Sequence, residues 1–360
     1  MQNKNILFVI DSMGIGGAEK ITLTLARKFV DNGYDVDLIV CDNIVHLEIP
    51  SEINLYILDF KKSLLDYTRY RLKLHRMIDD LIKENGYDYN LILVELQKAT
   101  RLMHGYNHLN LFHVVHNTLS MTAFKNRKGL RLFLKKRSLQ KIYNGLNIIT
   151  VSDGIKDDLL TTIGIKPQSI QTIYNPIDRE HITHLALEAN LVNEDNYIVH
   201  VGRFDPAKRH DILLKAFLQS NLDTKLVLVG DGSERDKIIT WIDEFGLHDK
   251  VIMCGFVQNP YPIIKNAKLL LLSSVHEGFG VVLVESLMLG TPVVSTNCKS
   301  GPNEIMTGSL AEYLVPVNDI EGLSRAIQKI YHNPYVVPGS LMDRFLPETI
   351  IRSYMELMEL

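Results

Sequence analysis

Two glutamates open the chemistry of this chain. Residues 273–295 read SSVHEGFGVVLVESLMLGTPVVS, with Glu277 and Glu285 bracketing a Gly-Phe-Gly turn and an apolar run. A carboxylate accepts two hydroxyl hydrogen bonds at once, which suits a vicinal diol such as that of a ribose or a hexose. Glu277 follows the apolar run KLLLLSS and so belongs in the loop at a strand's carboxyl end. Gly278 and Gly280 open the backbone behind it, so that a helix starting near Val281 presents N–H groups able to hold a phosphate or sugar hydroxyls. Glu285 then falls about one turn inside that helix. Taken singly, each glutamate also reads as an ordinary helix charge; what favours a site is the company they keep.

That company is VGRFDPAKRHD at 201–211 and DSMGIGGAEK at 11–20, each directly after an apolar strand. Arg203 and Lys208 at a strand end could neutralise a departing diphosphate without a metal, although basic residues are often merely solvated. Gly14, Gly16 and Gly17 let backbone N–H groups approach a bound anion at a helix start. A dinucleotide fingerprint beginning at Gly14 and Gly16 needs a third glycine where Glu19 stands, whereas Asp42 does fit the acidic ribose partner, so an NAD-dependent oxidoreductase remains a competing class. His116 ends the strand LFHVVH and precedes Asn117, a position from which its N–H could reach a donor; a packing histidine reads equally well.

Three other patterns carry less. Asp35-Val36-Asp37 spells a metal-binding D-x-D but starts a strand, where alternation puts both carboxylates on one face. His104 and His108 have i,i+4 spacing and no third ligand. A glycosidase carboxylate pair would leave the glycine loop and the Arg/Lys pair unexplained.

The elements that must position these residues alternate. NILFVI, a helix from about Gly17 to Asp31, DVDLIV, a polar helix over about 62–84, NLILVE, LFHVVH and NIITVS are followed by a second series, YIVHVG, KLVLVG, KVIMCG, KLLLLSS and TPVVST. Short apolar strands separated by helices signal βαβ units and parallel sheets, here two Rossmann-like domains with a linker at about 172–195. In such sheets ligands bind beyond the carboxyl ends of the strands, and a cleft between two such domains is the default site.

A length of 360 residues suits two domains, and 46% hydrophobic with 22% charged residues at net −3 excludes a disordered chain or a nucleic-acid polycation. Cys41, Cys254 and Cys298 are odd in number and widely spaced, which argues against a disulfide framework or zinc site and fits a reducing cytoplasm. No stretch has the apolar length of a membrane span, so the expectation is a soluble protein that at most rests on a membrane. Charge is unevenly divided, net +4 over residues 1–180 and −7 over 181–360. The segment 122–141 holds eight Lys/Arg and no acid, interleaved with Leu and Phe; it reads as a surface for anionic lipid or as a solvated helix.

Together GGAE near the start, VHN at 115–117, GRFDPAK, GF at 255–256 and above all EGFGVVLVE, an E-x7-E signature, resemble the family 4 retaining glycosyltransferases of GT-B fold over nearly the whole chain. The resemblance implies an α/β protein whose two Rossmann-like parallel sheets face each other across a cleft. Residues 1–178 would form the acceptor domain, with a helix at about 347–360 packing back on it, and residues 190–346 the nucleotide-sugar domain. It further implies Arg203 and Lys208 on the pyrophosphate, Glu285 on the ribose and Glu277 on the donor sugar. The backbone of Gly278, Phe279, Gly280 and Val281 would hold the sugar's hydroxyls and phosphate. Val257 and Gln258 would lie near the base, His116 on the C6 side of the sugar, and Gly16 and Gly17 at the donor. SGPNEI at 300–305 is similar to a motif of bacterial members that build cell-surface polysaccharide and lipopolysaccharide. The expected activity is hexose or N-acetylhexosamine transfer, from UDP ahead of GDP, to a glycan or lipid-linked acceptor. Expected partners include an anionic membrane surface at 122–141 but no nucleic acid, and neither metal nor cofactor is expected. A non-catalytic glycan-binding protein is the remaining alternative.

Overall fold

A computed structural model describes residues 4–61 and 66–359. The chain divides into two compact units, Met1–Pro176 with Pro347–Leu360, and Ile177–Leu346.

The first unit is built on a seven-stranded parallel sheet of β1 (Asn5–Ile10), β2 (Asp35–Val40), β3 (Ile53–Ile57), β4 (Leu91–Glu95), β5 (Leu111–Val115), β6 (Asn147–Thr150) and β7 (Ser169–Thr172). Spatial order is β3-β2-β1-β4-β5-β6-β7. The interior strands β1, β4 and β5 are buried at every position, as continuous apolar runs must be when helices cover both faces. The helices are α1 (Gly17–Asp31), α2 (Asp66–Asn85), α3 (Leu96–Leu102), α4 (Leu119–Ala123), α5 (Gly129–Tyr143) and α6 (Asp153–Asp157). The polar helix expected over about 62–84 thus appears as α2; residues 62–65 lie outside the described residues. In α1 the apolar positions Ile21, Leu25 and Phe29 recur at helical spacing, and Phe29 meets Phe8 of β1 edge-on at 6.1 Å.

The second unit repeats the plan with six parallel strands: β8 (Tyr197–Val201), β9 (Lys225–Val229), β10 (Val251–Gly255), β11 (Leu269–Leu272), β12 (Val293–Thr296) and β13 (Leu314–Val315). Their order is β10-β9-β8-β11-β12-β13. Its helices are α7 (Arg179–Leu185), α8 (His210–Ser220), α9 (Arg235–Glu244), α10 (Tyr261–Lys265), α11 (Val281–Met288), α12 (Pro302–Ile305) and α13 (Ile320–His332). The proposed linker at about 172–195 contains the boundary at 176/177, and α7 lies inside it. The last helix, α14 (Pro347–Glu356), returns to the first unit and packs on α1, with Tyr354 edge-on to Phe29 at 6.3 Å.

Both sheets reverse their winding once, between β1 and β4 in the first unit and between β8 and β11 in the second. At such a point the loops leaving adjacent strands diverge to opposite faces and open a crevice beyond the carboxyl ends. In one unit these are the loop 11–16 and the direct passage from β4 into α3 at Glu95 and Leu96; in the other they are the loops 202–209 and 273–280.

Candidate active site

In the second unit the two crevice loops are sewn together. Val275 N–H donates to the Ala207 carbonyl at 2.8 Å, and Ser273 Oγ donates to the Lys208 carbonyl at 2.6 Å. Asp205 accepts the Ala207 N–H at 2.8 Å and so starts the short turn Pro206–Lys208, after which Arg209, at φ +51°, turns the chain into α8. Lys208 is thereby delivered beside Glu277: Nζ lies 2.7 Å from Oε1, with the side chains only 16% and 12% exposed. Ser274 Oγ donates to the same oxygen at 2.6 Å. Burial works to raise the Glu277 carboxyl, but the Lys208 charge and the two hydrogen bonds outweigh it and hold it below the usual range. Glu277 is therefore an ionised acceptor.

SGPNEI braces this loop from the other side. Glu277 N–H donates to the Lys299 carbonyl at 3.2 Å, next to an isolated parallel bridge between His276 and Lys299. Gly301 sits at φ +99° against the Phe279 carbonyl, whose oxygen would lie 1.7 Å from an added Cβ. No other residue fits there, because both the φ and the backbone contact exclude a side chain. Gly280, at φ +90°, is the N-cap of α11, and Phe279 is buried edge-on against Phe345 at 5.4 Å. Glu285 stands four residues into α11, about 6 Å along its axis. Its Oε1 accepts from the Tyr261 hydroxyl at 2.9 Å. Val257 and Gln258 follow β10, Gln258 exposed and Val257 half-buried. Arg203 is exposed at the end of β8.

Beneath Lys208 lies a pair of histidines that sequence reasoning passed over. His200 is fully buried in β8 with Nδ1 2.9 Å from the Leu271 carbonyl, and its ring meets that of His210 edge-on at 4.9 Å. A carbonyl only accepts, so Nδ1 carries the proton. Burial pushes the two imidazoles down to about 4 and about 2, and Lys208 adds to the effect. Both are neutral near pH 7.

In the first unit His116 Nε2 pairs with Glu95 Oε2 at 2.5 Å, both side chains buried. Glu95, the last residue of β4, is a functional candidate that the apolar run NLILVE concealed. Asp11 accepts the Lys98 and Ala99 N–H groups at the start of α3, and burial raises its carboxyl to about 6. Asp42 pairs with Lys98 Nζ, so the acid that suited a dinucleotide ribose is already engaged by a cation. The glycine loop is also partly filled: the Glu19 carboxylate lies where a Cβ on Gly16 would be, whereas Gly17 is exposed and a Cβ there would meet open space. Asp37 is buried and bonded to Tyr89 at 2.6 Å and Asn54 at 2.9 Å, a packing role. His104 and His108 lie beyond the end of α3, so they share no helix face, and His108 pairs with Asp88 at 3.0 Å. Among the described residues no group of three or more His, Cys, Asp or Glu is placed to hold a metal. A cavity of about 940 Å³ along α2, lined by Tyr56, Lys73, Arg76 and Glu84 among others, contains none of the candidate residues.

Comparison with known proteins identifies the family. Residues 15–181 match the family described as Glycosyltransferase Family 4, and residues 186–345 match Glycosyl transferases group 1. One relative is the N-acetylgalactosamine-N,N'-diacetylbacillosaminyl-diphospho-undecaprenol 4-alpha-N-acetylgalactosaminyltransferase of Campylobacter jejuni, 28% identical over 89% of this chain and 88% of its own. Another is the lipopolysaccharide 1,6-galactosyltransferase of Salmonella typhimurium, 30% identical over 55% of this chain and 56% of its own. Among solved structures, Anabaena HepE in complex with UDP and glucose superposes with a TM-score of 0.75 at 20% identity, covering 99% of this chain and 100% of that one, which shows the shared fold. The two family matches together run from residue 15 to residue 345, on two Rossmann-like units of the GT-B type, and the chain belongs to the family 4 glycosyltransferases.

Proposed function

We propose that this glycosyltransferase moves a hexose or N-acetylhexosamine, with retention of anomeric configuration, from a nucleoside-diphosphate sugar to a glycan or lipid-linked acceptor in cell-surface polysaccharide synthesis. The observation that carries the donor assignment is the Lys208–Glu277 pair at the winding reversal of the second sheet. Lys208 has three donors on its ammonium; with one on Glu277, others remain for a diphosphate, and Arg203 stands at the same strand end. Glu277 takes the sugar, Glu285 the ribose, and the N–H groups of Gly278 to Val281 the hydroxyls and phosphate. Val257 and Gln258 flank the base. In the first unit His116, held by Glu95, and Gly16 with Gly17 serve sugar hydroxyls, which for Gly16 requires the Glu19 carboxylate to turn away.

The reaction is a front-face displacement. The bond from the anomeric carbon to phosphate oxygen breaks, the acceptor oxygen bonds to that carbon from the same side, and the acceptor proton passes to the departing phosphate, whose charge Lys208 and Arg203 stabilise. UDP is favoured over GDP by the UDP bound in HepE. A titration with UDP, GDP and NAD tests the class: binding of one diphosphate and not of NAD is expected, and the reverse would overturn the assignment.

The first unit carries the acceptor, and α5 brings it to a cytoplasmic membrane face. Leu130, Phe133 and Leu134 are 71%, 53% and 57% exposed among Arg131, Lys135, Lys136 and Arg137. Each nearby cation contributes about 1 kcal/mol at an anionic surface. No helix among the described residues is long and apolar enough to cross a membrane. Co-sedimentation with phosphatidylglycerol vesicles should be released by salt and weakened by changing Lys135, Lys136 and Arg137 together to Ser, with donor binding intact. Equal binding to neutral vesicles would count against this surface.

A further inference from the structure

Glu285 is held from the side. Here Oε1 receives the Tyr261 hydroxyl at 2.9 Å, from the first residue of α10. That start is itself anchored: Asn259 Oδ1 accepts the Tyr261 N–H at 3.2 Å, and Asn259 Nδ2 donates to the Leu185 carbonyl at 2.9 Å. Tyr261 therefore comes to Glu285 from a fixed backbone. Burial first, and the Glu285 charge second, raise the Tyr261 hydroxyl above its usual range, so it is a donor at every physiological pH and never competes with Glu285 for protons.

A permanent neutral donor on one carboxylate oxygen fixes the group's rotation and so the direction in which it can accept hydroxyls. We propose that Tyr261 is a positioning residue that presets Glu285 to read the 2′- and 3′-hydroxyls of the donor ribose, so that the Tyr261–Glu285 pair sets discrimination between ribo- and 2′-deoxyribonucleotides. This rests on the assignment of Glu285 to the ribose.

The test is calorimetric and needs no acceptor. Whichever of UDP and GDP binds the wild-type chain is titrated beside its 2′-deoxy counterpart into wild type, Tyr261→Phe, Glu285→Ala and the double variant. Wild type should prefer the ribonucleotide about tenfold or more, as expected for one lost hydrogen bond to a charged group. Tyr261→Phe should lower affinity for the ribonucleotide several-fold and shrink that preference, with the second unit still folded. In the Glu285→Ala background Tyr261→Phe should change the preference no further. A preference that survives Tyr261→Phe overturns the inference while leaving the donor site standing. A wild type that binds ribo and deoxy forms alike removes the ribose role of Glu285, and one that binds neither UDP nor GDP refutes the donor reading itself. The Tyr261→Phe change deletes a single oxygen; should it nevertheless unfold the second unit, Glu285→Gln, which keeps the shape and loses the charge, must itself collapse the preference or the inference fails.

Discussion

Replacing Lys208 with methionine should destabilise the second unit by about 2 kcal/mol at pH 8 and by less at pH 5. Removing one partner of a fully buried ion pair costs about 3–5 kcal/mol, and an exposed pair is worth under about 1 kcal/mol. With side chains 16% and 12% exposed the Lys208–Glu277 pair lies between these limits, and Glu277 retains the Ser274 hydroxyl at 2.6 Å. The pH dependence follows from the sign of the shift. In the wild type the Glu277 carboxyl is held below its unfolded value, so its contribution is present above that value and is lost as pH falls through the lower, folded one. Without Lys208 burial is opposed only by the Ser274 hydroxyl and His276, so the carboxyl rises, a penalty that protonation relieves as pH falls. The gap between variant and wild type must therefore narrow in acid. His200 and His210 face the same ammonium and act in the same direction, because its removal eases their protonation. The assay is denaturation followed by the fluorescence of Trp241, the chain's one tryptophan, which lies on α9 in the second unit. For a unit of this size 2 kcal/mol corresponds to about 4–8 °C in Tm. Lys208→Met with Glu277→Leu should recover much of the loss, since an apolar pair replaces a charged one at little cost. A single variant as stable as wild type at pH 8, or a deficit that widens in acid, would refute the reasoning.

Kinetics should separate the two glutamates: Glu285→Ala should raise donor KM more than it lowers kcat, and Glu277→Ala should chiefly lower kcat, through the sugar and through a loosened Lys208. Wild-type kinetics in both would remove the assignment. Arg203→Ala or Lys208→Ala should each cost at least about 2 kcal/mol of transition-state stabilisation, read as kcat/KM, while EDTA should change little. Activity abolished by EDTA and restored by Mn²⁺ would contradict the cation-based account. Burial holds His113, His200 and His210 down to about 3, 4 and 2, against about 6.5 when unfolded, so the unfolded chain binds the extra protons and stability should fall as pH drops from 6.5 towards 4. Asp11, raised to about 6, works against this but is one group against three. His210→Phe, which preserves the edge-on ring contacts with His200 and Phe204, should flatten the decline, and an unchanged slope would show that another group governs it.

The strands that the sequence announces are those with helices on both faces. Within NILFVI, NLILVE and KLLLLSS the strands β1, β4 and β11 are buried at every position, which is why they read as apolar runs. The strands missed are β3, β7 and β13, and each lies at the edge of its sheet. Ser169–Thr172 is polar and half-exposed, Ile53–Ile57 leaves Leu55 and Ile57 in solvent, and Leu314–Val315 is two residues long. These three are fixed by a neighbour's hydrogen bonds rather than by an apolar pattern of their own, whereas the fourth edge strand, β10, is legible because its run VIMCG is itself apolar.

The site divides in the same way. Gly-rich and charged stretches at strand ends stand out because they contrast with the apolar runs beside them, which is why Arg203, Lys208, Glu277 and Glu285 are legible. Their partners are not, since Ser274, Tyr261 and Glu95 are ordinary residues until the fold brings them close. Lys208 and Glu277 are 69 residues apart, and nothing local pairs them. What pairs them is the order β9-β8-β11: because β11 lies beside β8 on the side away from β9, the loops after β8 and β11 meet where the winding reverses. The Val275–Ala207 backbone bond then fixes their separation. A substitution that shifted β11 along β8 would therefore part the lysine from its glutamate without touching either residue. For this reason the apolar contacts of Leu269 and Leu270, opposite Ile198 and Val199, belong to the chemistry of the site as much as its charges do.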